Sequence, residues 1–218
     1  MVVSCSARVV ALFAIFFLAT GVFAQSVPIS GIDYRELKVP QPTESPGRIE
    51  VVEFFWYRCP HCYALEPALD AWLAQQTADV RFRRVPVIFG DHWEIDARIL
   101  YALEAIGEAG RLHRPLLDAI HEQGGRKLND KAYVKWIADW LLKQRVDMLR
   151  YNDAVNSPAV REKVKRAAEM TWVYGIEGTP TFAVQGRYVV SSPPGDRRAI
   201  LVITDYLIRQ SRAQLARK

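Results

Sequence analysis

Cys59 and Cys62 stand three positions apart in the stretch FFWYRCPHCYALEP (54–67), with Pro60 and His61 between them. Thiols at that spacing can hold a metal, close a small disulfide loop, or exchange disulfides. A closed zinc site takes four ligands, and one Cys-x-x-Cys supplies two. No second cysteine pair follows, and His61, His92, His113 and His121 fall at no ligand spacing. A disulfide across so short a loop would restrain the unfolded chain little. The third option is the one that the flanking residues favour. A β-branched and aromatic run precedes the pair and a helical pattern follows it, the setting of a redox-active dithiol. Neither a metal nor a soluble cofactor is expected.

That placement gives the two sulfurs different tasks. Cys59 would lie at the N-terminus of the helix, where unpaired backbone N–H groups and the positive dipole end favour a thiolate. The thiolate is the reactive form, so Cys59 is expected to be the exposed nucleophile and the sulfur that an incoming thiolate attacks. Cys62 lies one turn further in and is expected to be the resolving thiol. Pro60 suits the first helical turn. His61 adds a charge-favouring group beside the sulfur, and Arg58 would add to it if its side chain turned the same way. Each pKa unit taken from Cys59 stabilises the dithiol by about 1.4 kcal/mol, roughly 30 mV toward a stronger oxidant.

The elements that must hold the pair can be read around it. RIEVVEFFWY (48–57) is apolar on both faces and reads as a central strand. The helix from Cys59 carries Leu65, Leu69, Trp72 and Leu73 at helical spacing, with a kink expected at Pro67. DVRFRRVPVIF (79–89) is a second strand. From 91 to 156 the pattern is helical, with Asn129 as an N-cap and Val134, Ile137, Ala138 and Leu141 on one face. Trp136 and Trp140 read as core of this block, and His92, His113 and His121 as surface or capping residues. A helix opens on Ser157 and Pro158 and ends at Gly175. TPTFAVQGRYVV (179–190) is a hairpin turning at Gln185-Gly186, and a last helix follows the proline pair at 193–194.

Arg8, the apolar run 9–19 and the small residues Val22 and Ala24 have the layout of a secretory leader cut after Ala24. That run is short of the ~20 residues a membrane span needs. Export would remove Cys5, the third cysteine, and leave the pair alone in an oxidising compartment where disulfides persist. The formal net charge is +5 with signs interspersed, which reads as a solvated surface and not a nucleic-acid footprint.

At these residues the chain resembles the DsbA family of periplasmic thiol:disulfide interchange proteins. EFFWYRCPHC carries the likeness, and EGTPTF (177–182) carries it a second time. The resemblance implies an α/β, thioredoxin-like fold with an inserted all-helical domain. The thioredoxin-like part would span 25–90 and 157–218, and the insert 91–156. It implies a cis-proline at Pro180 facing the disulfide, with Thr179 offering backbone to an extended substrate. Glu53 would be buried below the site and relay protons to Cys62. The family's lysine partner for that glutamate has no counterpart in FGDHWEIDAR (89–98). Implied partners are unfolded exported proteins with free thiols and a quinone-linked membrane oxidase of the DsbB type, acting on a monomer in the periplasm. Isomerases of the superfamily carry a dimerisation domain ahead of the catalytic one, and 25–47 is too short to be one. A non-catalytic binding module on the same fold is the rival of a different class.

Overall fold

The structure, a computed structural model, describes residues 27–191 and 198–217. The expected leader, its cut after Ala24 and the proline pair at 193–194 lie outside the described residues.

Five strands form one mixed sheet. They are β1 (Arg35–Glu36), β2 (Ile49–Phe55), β3 (Val80–Pro86), β4 (Thr181–Val184) and β5 (Tyr188–Ser191), in the order β1-β5-β4-β2-β3. β2 pairs parallel with β3 and antiparallel with β4, and every residue of β2 is buried. Its continuous apolar run thus belongs to an inner strand covered on both faces. Successive side chains go to opposite faces. Ile49 and Val51 join a core with Leu65 and Leu69 of helix α1 (Pro60–Leu73) and Leu207 of the C-terminal helix. Val52 and Phe54 join the core that reaches into the central helices.

Between β3 and β4 run α2 (Asp91–Ala105), α3 (Ala109–Glu122), α4 (Asp130–Lys143), α5 (Met148–Val155) and α6 (Pro158–Val173), with one short 3-10 turn at Gly125–Lys127. The last helix is α7 (Ala199–Leu215). Asn129 caps α4 by accepting from Ala132 N–H, and Ser157 caps α6 by accepting from Val160 N–H. Three local expectations need adjustment. The buried face of α4 is Tyr133, Ile137, Trp140 and Leu141, whereas Val134 is half exposed. Trp136 is only partly buried. α6 caps on Tyr174, and Gly175 follows with φ 54°, because the left-handed position falls one residue past the cap.

The β4–β5 turn places Gln185 and Gly186 at φ 53° and 62°, both positive as at the centre of a primed turn, which Arg187 N–H closes on the Val184 carbonyl at 3.0 Å before Val184 pairs with Tyr188. Gly186 is further constrained: a Cβ there would fall 2.0 Å from the Gln41 carbonyl oxygen. α1 runs through Pro67. The missing N–H leaves the Tyr63 carbonyl without its helical donor. The fold sets the C-terminal end of β2 against the N-terminus of α1, and there the cysteines lie.

Candidate active site

Cys59 is the N-cap of α1, with φ −78° and ψ 117°. Its sulfur accepts from Cys62 N–H at 3.5 Å, and as a thiol it donates to the Thr179 carbonyl at 3.3 Å. Both cysteines are free thiols. The Cys59 pKa is lowered to about 5. The hydrogen bond from the Cys62 side chain is the largest cause; burial opposes it, and Thr179 and the N–H groups of Cys62 and His61 support it. Burial pushes Cys62 well above its ordinary value, and the neighbouring Cys59 and Glu53 add to the rise. One sulfur therefore holds a charge easily and the other holds a proton.

Cys59 is less open than expected, at 5% exposure. The Thr179–Pro180 loop lies against it, and that peptide bond is cis. Pro60 and His61 are exposed on the outer side of the turn. The His61 backbone N–H reaches the Cys59 sulfur. Arg58 turns away. It is buried, donates to Asp96 at 2.9 Å and to the His92 carbonyl at 2.9 Å, and lies 4.4 Å over the Tyr133 ring. Asp96 also accepts from Trp56 and Tyr133, so α2 and α4 grip the residues just before Cys59.

Below the sulfurs, Glu53 is fully buried. A buried carboxylate without a partner would be expensive. Its partner is Arg84, directly opposite in the β2–β3 register, with Nε donating to Glu53 Oε2 at 2.9 Å. The same guanidinium donates to both oxygens of Glu66 at 3.2 and 3.3 Å. One cation thus serves two acids, and Glu53 Oε1 is left without a hydrogen bond. Burial raises Glu53 to about 7; Arg84 opposes the rise and Glu66 adds to it.

Two histidines read as surface or capping residues belong here instead. His113 is buried; its Nδ1 lies 3.1 Å from the Tyr57 hydroxyl and its Nε2 3.8 Å from Glu66. His121 Nε2 donates to the Tyr57 carbonyl at 2.9 Å, and its ring stacks on Tyr63 at 4.4 Å. Helix amphipathicity made α3 bury Leu112, Leu116 and Ile120, and His113 follows Leu112 on that inward side. Arg84, Glu66 and His113 were missed as site residues. Glu66 carried a signal, since it stands four residues after Cys62 on the same helix face. Among the described residues no cluster of three or more His, Cys, Asp or Glu could hold a metal.

A cysteine pair at the start of the helix after a central strand, facing a cis-proline loop across a mixed sheet, defines a thioredoxin-fold dithiol–disulfide oxidoreductase. The family model for the DSBA-like thioredoxin domain matches residues 50–199, and the chain belongs to that family. The thiol:disulfide interchange protein DsbA of Burkholderia cepacia is 38% identical over 201 residues, covering 88% of this chain and 91% of its own. The DsbA of Pseudomonas aeruginosa is 37% identical over 185 residues, covering 84% and 86%. The crystal structure of Pseudomonas aeruginosa DsbA superposes with a TM-score of 0.78 at 35% identity, covering 88% of this chain and 97% of that one. DsbA from Xylella fastidiosa gives 0.76 at 35%, covering 86% and 100%. The chain is a thiol:disulfide oxidoreductase with disulfide interchange activity.

Proposed function

We propose that the protein works as a dithiol oxidase that donates the Cys59–Cys62 disulfide to folding exported proteins. A substrate thiolate attacks Cys59 Sγ. The Cys59–Cys62 bond breaks, and Cys62 leaves with the electron pair and takes up a proton. The substrate's second thiol loses its proton and attacks the substrate sulfur of the mixed disulfide. Cys59 then departs as a thiolate, and two electrons have passed from substrate to enzyme. The asymmetry of the two sulfurs carries this reading, because a thiol of low pKa is the better leaving group and a stable Cys59 thiolate favours the reduced enzyme.

Glu53 is the proton carrier for Cys62 in this scheme. It is buried beneath the pair, holds one oxygen unbonded, and titrates near neutrality. Thr179 presents its backbone to an extended substrate beside Pro180. Reoxidation falls to a quinone-linked membrane oxidase of the DsbB type. The setting is the periplasm, reached by a leader cut after Ala24, and the enzyme acts as a monomer. Residues 25–90 and 157–218 form the thioredoxin-like unit, and 91–156 the inserted helical domain.

The test is reactivation of a reduced, unfolded disulfide enzyme by the oxidised protein. Wild type should restore activity at near one disulfide per molecule, and Cys59→Ser should abolish it. Equilibration against glutathione should place the couple on the oxidising side of that buffer. Activity surviving in Cys59→Ser, or a strongly reducing couple, would remove the protein from the oxidase class.

A further inference from the structure

The buried groups below Cys62 do not end at Glu66. His113 comes from α3, outside the strands and helix that carry the cysteines. Its Nδ1 takes the Tyr57 hydroxyl at 3.1 Å. Burial holds the Tyr57 phenol far above its ordinary pKa, so that hydroxyl keeps its proton and can donate to Nδ1, the arrangement that turns an N–H and not a lone pair toward the Glu66 carboxylate. An imidazole that accepts at Nδ1 and is neutral must carry its proton on Nε2. Burial also holds the His113 pKa below its ordinary value, which keeps the ring neutral. The Nε2–H has no hydrogen-bond acceptor and faces Glu66 Oε1 at 3.8 Å. That is too long for a full hydrogen bond, yet a dipole at that distance in a dry site favours the carboxylate over the acid.

Other groups face His113. They are Glu66 and Asp70 of α1, Arg84 of β3 and the Tyr57 hydroxyl before α1. On its own helix, Arg114 reaches Glu66 at 4.0 Å. Burial alone would raise Glu66, but His113, Arg84 and Arg114 together bring it below its ordinary value. An ionised Glu66 in turn shares Arg84 with Glu53 and acts on it as a like charge.

We propose that His113 is a positioning residue for the thiol chemistry: its Nε2–H keeps Glu66 ionised, and Glu66, by sharing Arg84, keeps a proton available on Glu53 beneath Cys62. The helical insert thereby enters the chemistry without touching substrate. This rests on the reading of Glu53 as proton carrier, and the two can be tested separately.

The direct readout is side-chain carboxyl NMR of Glu53 in the full chain, dithiol form, titrated across neutral pH. In His113→Phe the Glu66 carboxylate loses the N–H dipole that faces it and protonates more readily. Arg84 then serves Glu53 alone, and the Glu53 midpoint falls by about one unit. Glu66→Gln should give the same fall, and the double variant no more. His113→Gln keeps an amide N–H facing Glu66 and should restore most of the wild-type midpoint. A Glu53 midpoint unmoved in His113→Phe, or moved equally by Phe and Gln, would overturn the proposal. Imidazole 15N shifts in wild type decide it should the Phe variant not fold. A neutral Nε2–H tautomer at pH 7.5 supports it, and a protonated Nδ1 overturns it. The relay reading has its own arm, the pH profile of the rate at which Cys62 is released. If Glu53→Gln leaves that profile unchanged, the relay falls, and the NMR titration still decides the part played by His113.

Discussion

Strands β2 and β3 carry the same pair of residue types twice, once on each face. On one side Glu50 is fully buried and meets Arg83 at 3.3 Å. On the other, Glu53 is fully buried and meets Arg84 at 2.9 Å. Their surroundings differ. The second oxygen of Glu50 accepts from the Glu44 backbone N–H at 2.8 Å, so both its oxygens are bonded. Both arginines are shared, Arg83 reaching Glu44 at 3.7 Å and Arg84 reaching Glu66 at 3.2 Å, but only Glu53 keeps an unbonded oxygen. The lesson is that a buried acid–arginine pair is not by itself a functional sign. An acid becomes available for proton transfer when its bonding is incomplete and a thiol lies above it.

The largest expected effect comes from removing the cations. Arg84→Met leaves the buried Glu53 without its cation and Glu66 with Arg114 alone, and should cost about 3–5 kcal/mol at pH 8. Arg83→Met leaves Glu50 with the Glu44 N–H and should cost less, about 1–3 kcal/mol. Denaturant midpoints of the two variants measure this, and equal losses would erase the contrast between the faces.

Next is the pH dependence of stability. Glu53 titrates at about 7 in the folded chain against an ordinary value of 4.5. Between these values the folded protein holds a proton that the unfolded chain has released. The contribution of Glu53 is therefore fully present below pH 4.5 and is lost as pH rises through 7, by about 3 kcal/mol. Glu53→Gln should remove that slope and be more stable than wild type at pH 8, whereas Glu50→Gln should leave the slope in place. Unfolding at a series of pH values checks both, and an unchanged slope in Glu53→Gln would break the comparison.

The smallest effect links the acid to the redox state. The Cys59 thiolate raises the Glu53 pKa as the least of its causes. Oxidation removes that thiolate, and the Glu53 midpoint should drop by a few tenths of a unit. Carboxyl NMR of the oxidised and reduced forms measures it, and Glu50→Gln should not alter the difference.

Much of the site could be read along the chain. A cysteine pair after an apolar strand, with Pro60 inside the first helical turn, fixes which sulfur caps the helix, because a helix has only one N-terminus and its orphan N–H groups lie there. Glu53 was conspicuous as an acid on a buried strand, and the turn at Gln185-Gly186 followed from the φ values that a tight hairpin demands. The partner of Glu53 was not visible. The stretch just after β3, FGDHWEIDAR (89–98), holds no lysine, and the partner is an arginine inside β3 whose side chain faces Glu53 only in the observed register. His113 was harder still. A lone histidine on an apolar helix face reads the same whether it meets leucines or a carboxylate.

Local order in the sequence thus determined the elements, the helix-capping cysteine and the unequal sulfurs, since capping, hydrophobic period and turn geometry act over a few residues. Tertiary structure decided what surrounds them. Strand pairing chose Arg84 for Glu53, the approach of α3 brought His113 to Glu66, and the Thr179–Pro180 loop closed over Cys59. Such contacts join residues as far as 120 positions apart, and their energies depend on burial and on shared partners that exist only once the chain has folded.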